Sequence, residues 1–172
     1  MAVRRQVVEQ FMKLAVACDH RGYEAKRRLL PLLKKLGHEV VDFGCESGAS
    51  VDYPDYAIPA SRAVIDGTAE TAILLDGSGI GMSIAANKVF GIRAALAHDQ
   101  VTARIAREHN HCNVLCLGVD LLSEDQCRQI VEIFLSTQFA DGRHVRRIEK
   151  LRQIEAEESA RLEAQHVGQK SK

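Results

Sequence analysis

The stretch TAILLDGSGIGMSIAANK, residues 71–88, decides how this chain folds. Thr71 to Leu75 is apolar without a polar alternate, the pattern of a strand covered on both faces. Gly77-Ser78-Gly79-Ile80-Gly81 then makes a glycine-spaced turn, and helical spacing follows from Ile80 to Val89. Strand, tight turn and helix in that order are half of a strand–helix–strand unit, and such units build parallel sheets.

Outward from this stretch the same alternation repeats. Leu14–Cys18, Glu39–Phe43, Arg93–Ala97 and Asn113–Leu117 read as further strands buried on both sides, and Tyr23–Leu36, Tyr56–Ile65, Gln100–Glu108 and Glu124–Thr137 as helices. Short links imply right-handed crossovers, so the reading is an α/β fold, a Rossmann-like three-layer αβα sandwich with a five-stranded parallel sheet. One domain over 13–150 holds all five strands, preceded by an N-terminal arm (1–12) and followed by a C-terminal helix and tail (151–172). Arg143 to Gln165 is a charged helix-former run whose apolar stripe is only Ile148, Leu151 and Ile154. So thin a stripe needs something to lean on, and a partner subunit is one candidate.

A chain of 172 residues suits a single core, and its 23 Lys plus Arg balance 23 Asp plus Glu. That balance argues against a generic binder of nucleic acid or of anionic membranes. No apolar run approaches a bilayer span and the start lacks a signal-peptide core, which together read as a cytoplasmic protein. Five cysteines, odd in number and without a C-x-x-C pair, read as reduced thiols. His109, His111 and Cys112 are the nearest thing to a ligand cluster, but their spacing matches no metal pattern, so no metal is expected.

In open parallel sheets ligands bind beyond the carboxyl ends of the strands. There the sequence sets Asp19-His20, then Asp52-Tyr53-Pro54, Asp76 with the glycine turn, and His98-Asp99. With His109-Asn110 at the end of the following helix, these polar groups are expected to collect at one edge. The glycine turn opening a helix suits an anion, through N–H groups without internal partners, or it is simply a turn. Asp19-His20 is an acid–base pair or a helix cap beside a surface histidine; His109 is a site residue or a cation favoured at a helix C-terminus. Arg143, His144, Arg146 and Arg147 form a phosphate clamp or a solvated face.

Ala17-Cys18-Asp19-His20-Arg21-Gly22-Tyr23, Asp52 to Ala57, Gly77 to Lys88 with Gly91-Ile92-Arg93-Ala94, His109-Asn110 before Asn113-Val114-Leu115, and Gly142-Arg143-His144 together closely resemble the type B ribose-5-phosphate isomerases, a family of sugar-phosphate isomerases. The resemblance runs in order from about residue 13 to 150. It implies interconversion of an aldose phosphate and a ketose phosphate, most simply ribose 5-phosphate and ribulose 5-phosphate, without cofactor or metal. It also implies a homodimer or dimer of dimers whose sites draw on both subunits. Matched residue by residue, Asp19 and His109 assist ring opening, and His20, Arg143 and Arg147 face the phosphate. Ser78 helps move the proton between O1 and O2; Tyr53, Asn87, Asn110 and the glycines Gly77, Gly79 and Gly81 line the site.

The chain departs from the family pattern at three positions. Asp76 stands where many members carry a cysteine base, Met82 where another branch has a glutamate, and Asp120 where an arginine usually adds to phosphate binding. Asp76 is therefore expected to be the base at carbon, or else a helix cap that holds the loop. Two other readings stay open: a catalytically silent sugar-phosphate-binding or regulatory homologue, and an isomerase for an unphosphorylated or other sugar.

Overall fold

The structure, a computed structural model, describes residues 11–170, so the expected N-terminal arm lies almost wholly outside the described residues. Five strands, β1 (Lys13–Cys18), β2 (Glu39–Asp42), β3 (Thr71–Asp76), β4 (Ala94–Leu96) and β5 (Val114–Gly118), form one parallel sheet in the order β2-β1-β3-β5-β4. The helices are α1 (Tyr23–Lys35), α2 (Pro54–Ile65), α3 (Ile80–Ala86), α4 (Gln100–Asn110), α5 (Glu124–Ser136) and α6 (Arg143–Lys170).

Alternate residues of each strand point to opposite faces, and the core divides accordingly. Leu14, Val16, Ile73, Leu75, Leu115 and Leu117 face a layer built from Leu29 and Leu33 of α1, Ala103 and Ala106 of α4, and Ile130 and Phe134 of α5. Ala15, Ala17, Ala72, Leu74, Val114 and Cys116 face α2 and α3 through Ala57, Ala60, Ala63, Met82 and Ala86. Handedness explains the division. A right-handed crossover moving one way along the sheet covers one face, and one moving back covers the other. The connections leaving β2 and β3 move toward β4, while those leaving β1 and β4 move the opposite way, so α2 and α3 share one face and α1 and α4 the other.

Burial on both sides holds for β1, β3 and β5. It fails for β2 and β4, which are edge strands with exposed or half-buried residues. The β2 end is held by Lys26, a buried lysine of α1 whose Nζ donates to both oxygens of Asp42 and, at 2.8 Å, to the Cys45 carbonyl. Helix boundaries shift for local reasons. Pro54 starts α2 two residues early because proline suits the first helical turn. Asp99 with Thr102 and Ser123 with Gln126 form capping boxes that start α4 and α5.

The chain divides into two compact units, one up to Phe139 and one from Ala140 on, and α6 runs unbroken through the boundary expected at residue 150. Among the described residues no helix is long and apolar enough to cross a membrane.

Gly79 joins β3 to α3 with φ +78°, and a Cβ there would lie 2.2 Å from Leu96 Cδ1 and 3.0 Å from the Gly118 nitrogen. Positive φ and backbone crowding both exclude a side chain. Gly79→Ala is expected to cost about 2–4 kcal/mol and to lower the thermal midpoint by about 5–10 °C. Gly48→Ala, where a Cβ meets nothing within 4 Å, should leave it unchanged in the same melt.

Candidate active site

At the carboxyl edge of the sheet, Asp19 follows β1 and turns the chain into α1. Its Oδ1 accepts from the Arg21 and Gly22 nitrogens at 2.8 and 3.1 Å, which holds the buried carboxylate beneath the start of the helix. Oδ2 lies 4.0 Å from His20 Nδ1. That Nδ1 accepts from the Val51 nitrogen at 3.3 Å, so the neutral ring carries its proton on Nε2.

Beside it, Asp76 ends β3 and is buried under the glycine loop. Its Oδ1 accepts from the Gly79 nitrogen and its Oδ2 from the Met82 nitrogen at 3.1 Å. Each carboxylate oxygen thus spends one lone pair on the loop, the arrangement expected of a residue that holds the loop in shape. Ser78 Oγ accepts from the Ile80 nitrogen at 3.2 Å. Donors toward a bound oxyanion are therefore fewer than the glycine spacing suggests: Gly79, Ile80 and Met82 are occupied, and Gly77, Ser78 and Gly81 are left. Tyr53, the N-cap of α2, joins the loop. Its ring lies across Gly81, where a Cβ would come within 3.0–3.2 Å of ring atoms.

Two buried thiols flank these acids without supplying a nucleophile. Burial, with Cys45 adding, pushes Cys18 up to about 12, and burial with the Asp76 carboxylate drives Cys116 well above the ordinary thiol value. Neither is a thiolate at neutral pH.

The expectation that all candidates share one edge is overturned for His109 and Asn110. They close α4, which starts at the carboxyl end of β4 and runs back across the sheet to the point where β5 begins. That is the amino edge, about 17–20 Å from the glycine loop for strands of this length. Arg93 fixes them there: its Nε donates to the Asn110 carbonyl at 3.2 Å and its Nη2 to the His111 carbonyl at 2.8 Å. His111 takes φ 48° to end the helix and stacks on Phe139 at 4.6 Å between ring centroids. Asn87, expected to line the site, has its amide engaged between α3 and β4. Its Nδ2 donates to the Ser83 and Ala94 carbonyls and its Oδ1 accepts from the Ala94 nitrogen, so the whole amide ties α3 to β4. Arg143 and Arg147 lie on the first two turns of α6, in the second unit.

One pair was invisible in the sequence. Arg21 Nε and Nη2 donate to Asp120 Oδ2 at 3.1 and 2.7 Å, across 99 residues. The signal was half present, since Asp120 stands out as a departure, but nothing in the chain order says that Arg21 meets it. Among the described residues no group of three or more His, Cys, Asp or Glu side chains could hold a metal ion.

Residues 14–151 match the Ribose/Galactose Isomerase family. Ribose-5-phosphate isomerase B of Escherichia coli is 39% identical over 143 residues, 83% of this chain and 96% of the relative. The solved ribose-5-phosphate isomerase B of Clostridium thermocellum superposes with a TM-score of 0.84 at 44% identity, covering 85% of this chain and 99% of the other. The Mycoplasma genitalium enzyme, solved with bound ribulose-5-phosphate, gives 0.81 at 38% identity over 84% of this chain and 97% of its own. With an acid, a glycine loop and a tyrosine gathered at one sheet edge and this likeness along nearly the whole of each relative, the chain belongs to the ribose/galactose isomerase family of sugar-phosphate isomerases.

Proposed function

We propose that this chain interconverts ribose 5-phosphate and ribulose 5-phosphate through an enediolate, in the cytoplasm, at a site that two copies complete. The observation that carries the reading is the meeting of Asp19, Ser78, Tyr53 and the glycine loop at one sheet edge in a member of this family. Asp19, with His109 of a second copy, opens the furanose by moving a proton from the C1 hydroxyl to the ring oxygen. Asp76 then takes the proton from C2, the electron pair forms the C1–C2 double bond, and charge develops on O1 facing the Gly77 and Ser78 N–H groups. Ser78 carries a proton from O2 to O1, and Asp76 returns its proton to C1, which leaves the ketose. His20 donates a hydrogen bond from Nε2 to the phosphate, Arg143 and Arg147 supply positive charge, and that remote binding fixes the reacting carbons.

A homodimer is part of the proposal because His109 and Asn110 sit at the far edge from Asp19 within one copy. The surface beside the glycine loop supports it: Ile80 and Ile84, one turn apart on α3, are 53% and 54% exposed, and Phe90 is 56% exposed. A second copy laid on α3 removes that apolar area from water.

The two main-chain bonds of Asp76 favour a second reading of the base, in which Asp76 only clamps the loop and Asp19 takes the proton through Oδ2. Two variants separate them. Asp76→Asn is expected to lower both turnover and solvent-deuterium incorporation at the exchanging carbon by about a hundredfold or more while ribose 5-phosphate still binds. If exchange persists in Asp76→Asn and vanishes in Asp19→Asn, the base is Asp19. If the unsubstituted protein forms no ketose, the chain is not this isomerase.

Sharing of the site has its own check. Asp19→Asn and His109→Ala should each be inactive alone. Refolded together in equal amounts, they should recover about a quarter of full activity, because half the dimers are mixed and each mixed dimer holds one intact site. An inactive mixture of well-folded variants, or sedimentation as a monomer, rules the shared site out.

A further inference from the structure

We propose that Arg21, steered by Asp120 and seated over Gly77, is a substrate-phosphate ligand of this chain. The inference rests on the isomerase reading above and adds to it a residue outside the positions which the family pattern assigns.

Four observations carry it. Arg21 follows the Asp19-His20 pair directly, and its main-chain N–H is bonded to Asp19 Oδ1, so its backbone is fixed relative to the ring-opening acid. Its side chain then crosses to the glycine loop. A Cβ on Gly77 would stand 2.7 Å from Asp120 Oδ2 and 3.6 Å from Arg21 Cγ, which puts the ion pair against the first glycine of the loop. Asp120 is held in turn, for its nitrogen donates to the Gly77 carbonyl at 3.0 Å. Finally, Asp120 engages only Nε and one Nη2 hydrogen, both on a single oxygen. A guanidinium has five donors, so three remain for the oxygens of an anion.

The exposure of the pair shows what it is for. The Arg21 and Asp120 side chains are 58% and 43% exposed, and an ion pair so open to water contributes little to folding. A residue built for stability would be sealed; this one presents unused donors beside the glycine loop. Asp120 itself repels a phosphate, so its part is to aim the guanidinium, and the attraction belongs to Arg21. The two partners should therefore affect phosphate binding in opposite directions, which a purely structural ion pair cannot do.

Arg21→Met and Asp120→Asn, compared with the unsubstituted protein, make the test. Kinetics with ribose 5-phosphate are read beside the inhibition constant of inorganic phosphate and the thermal shift it gives. Arg21→Met is expected to raise both KM and the inhibition constant by roughly tenfold or more, to leave kcat within about twofold, and to lose most of the phosphate-induced shift. Asp120→Asn should leave both constants unchanged or lower them. Arg21→Lys, which keeps the charge but not the fork, should fall between, and equal melting without phosphate shows that the variants fold. If Arg21→Met binds phosphate normally, or if both substitutions weaken it alike, Arg21 is not a ligand and the inference fails while the isomerase reading stands. If the unsubstituted protein makes no ketose and gains no protection from phosphate, the isomerase reading itself has failed, and this inference with it.

Discussion

A parallel strand can be followed by another only if the chain travels back the length of the sheet, and in this protein the helices make that journey. Every connection therefore leaves from one edge and arrives at the other. Asp19, Asp76 and the glycine loop stand where strands end; His109 and Asn110 stand where α4 has returned and β5 is about to begin. The separation follows from the topology and no side-chain rearrangement can close it. Both edges are built firmly. At the amino edge Arg93 grips the carbonyls of Asn110 and His111, and Arg107 Nη1 holds that of Cys112 at 2.7 Å, so the end of α4 is tied down by side-chain bonds.

The carboxyl edge owes its order to joints between strand ends. The Val119 and Asp120 nitrogens donate to the Asp76 and Gly77 carbonyls, which fuses the end of β5 to the loop after β3. Asp76 then draws the Gly79 and Met82 nitrogens toward its two oxygens and sets the direction of α3. Fixed main-chain donors stabilise developing charge without reorganising as the reaction proceeds, which favours this construction around an enediolate. The same construction consumes donors. Asp76 accepts two N–H bonds that a thiol would bind only weakly, so a carboxylate at this position shapes the loop beside it.

The sequence alone determined the layers and the sheet class. Unbroken apolar runs at β1, β3 and β5 have no polar face to give to water, and the helical spacing between them leaves parallel crossovers as the one consistent arrangement. Local chemistry also placed the glycine loop, the Asp19-His20 pair and Tyr53, because each follows a strand or opens a helix within a few residues. The family resemblance added the list of site residues, Asn87 among them, whose amide the structure shows spent on the α3–β4 joint.

Tertiary structure decided what depends on contacts between distant segments. The order β2-β1-β3-β5-β4 puts β5 between β3 and β4, and no local pattern distinguishes that from consecutive placement, since a right-handed crossover serves either. The exposure of β2 and β4 follows from being at the edges of that order. The removal of His109 from the edge it was expected to share follows from the return path of α4, and the union of Arg21 with Asp120 from the adjacency of β1, β3 and β5. Apolar periodicity records how each segment meets the core; it carries no information about which segments become neighbours, because that is fixed only when the whole sheet is assembled.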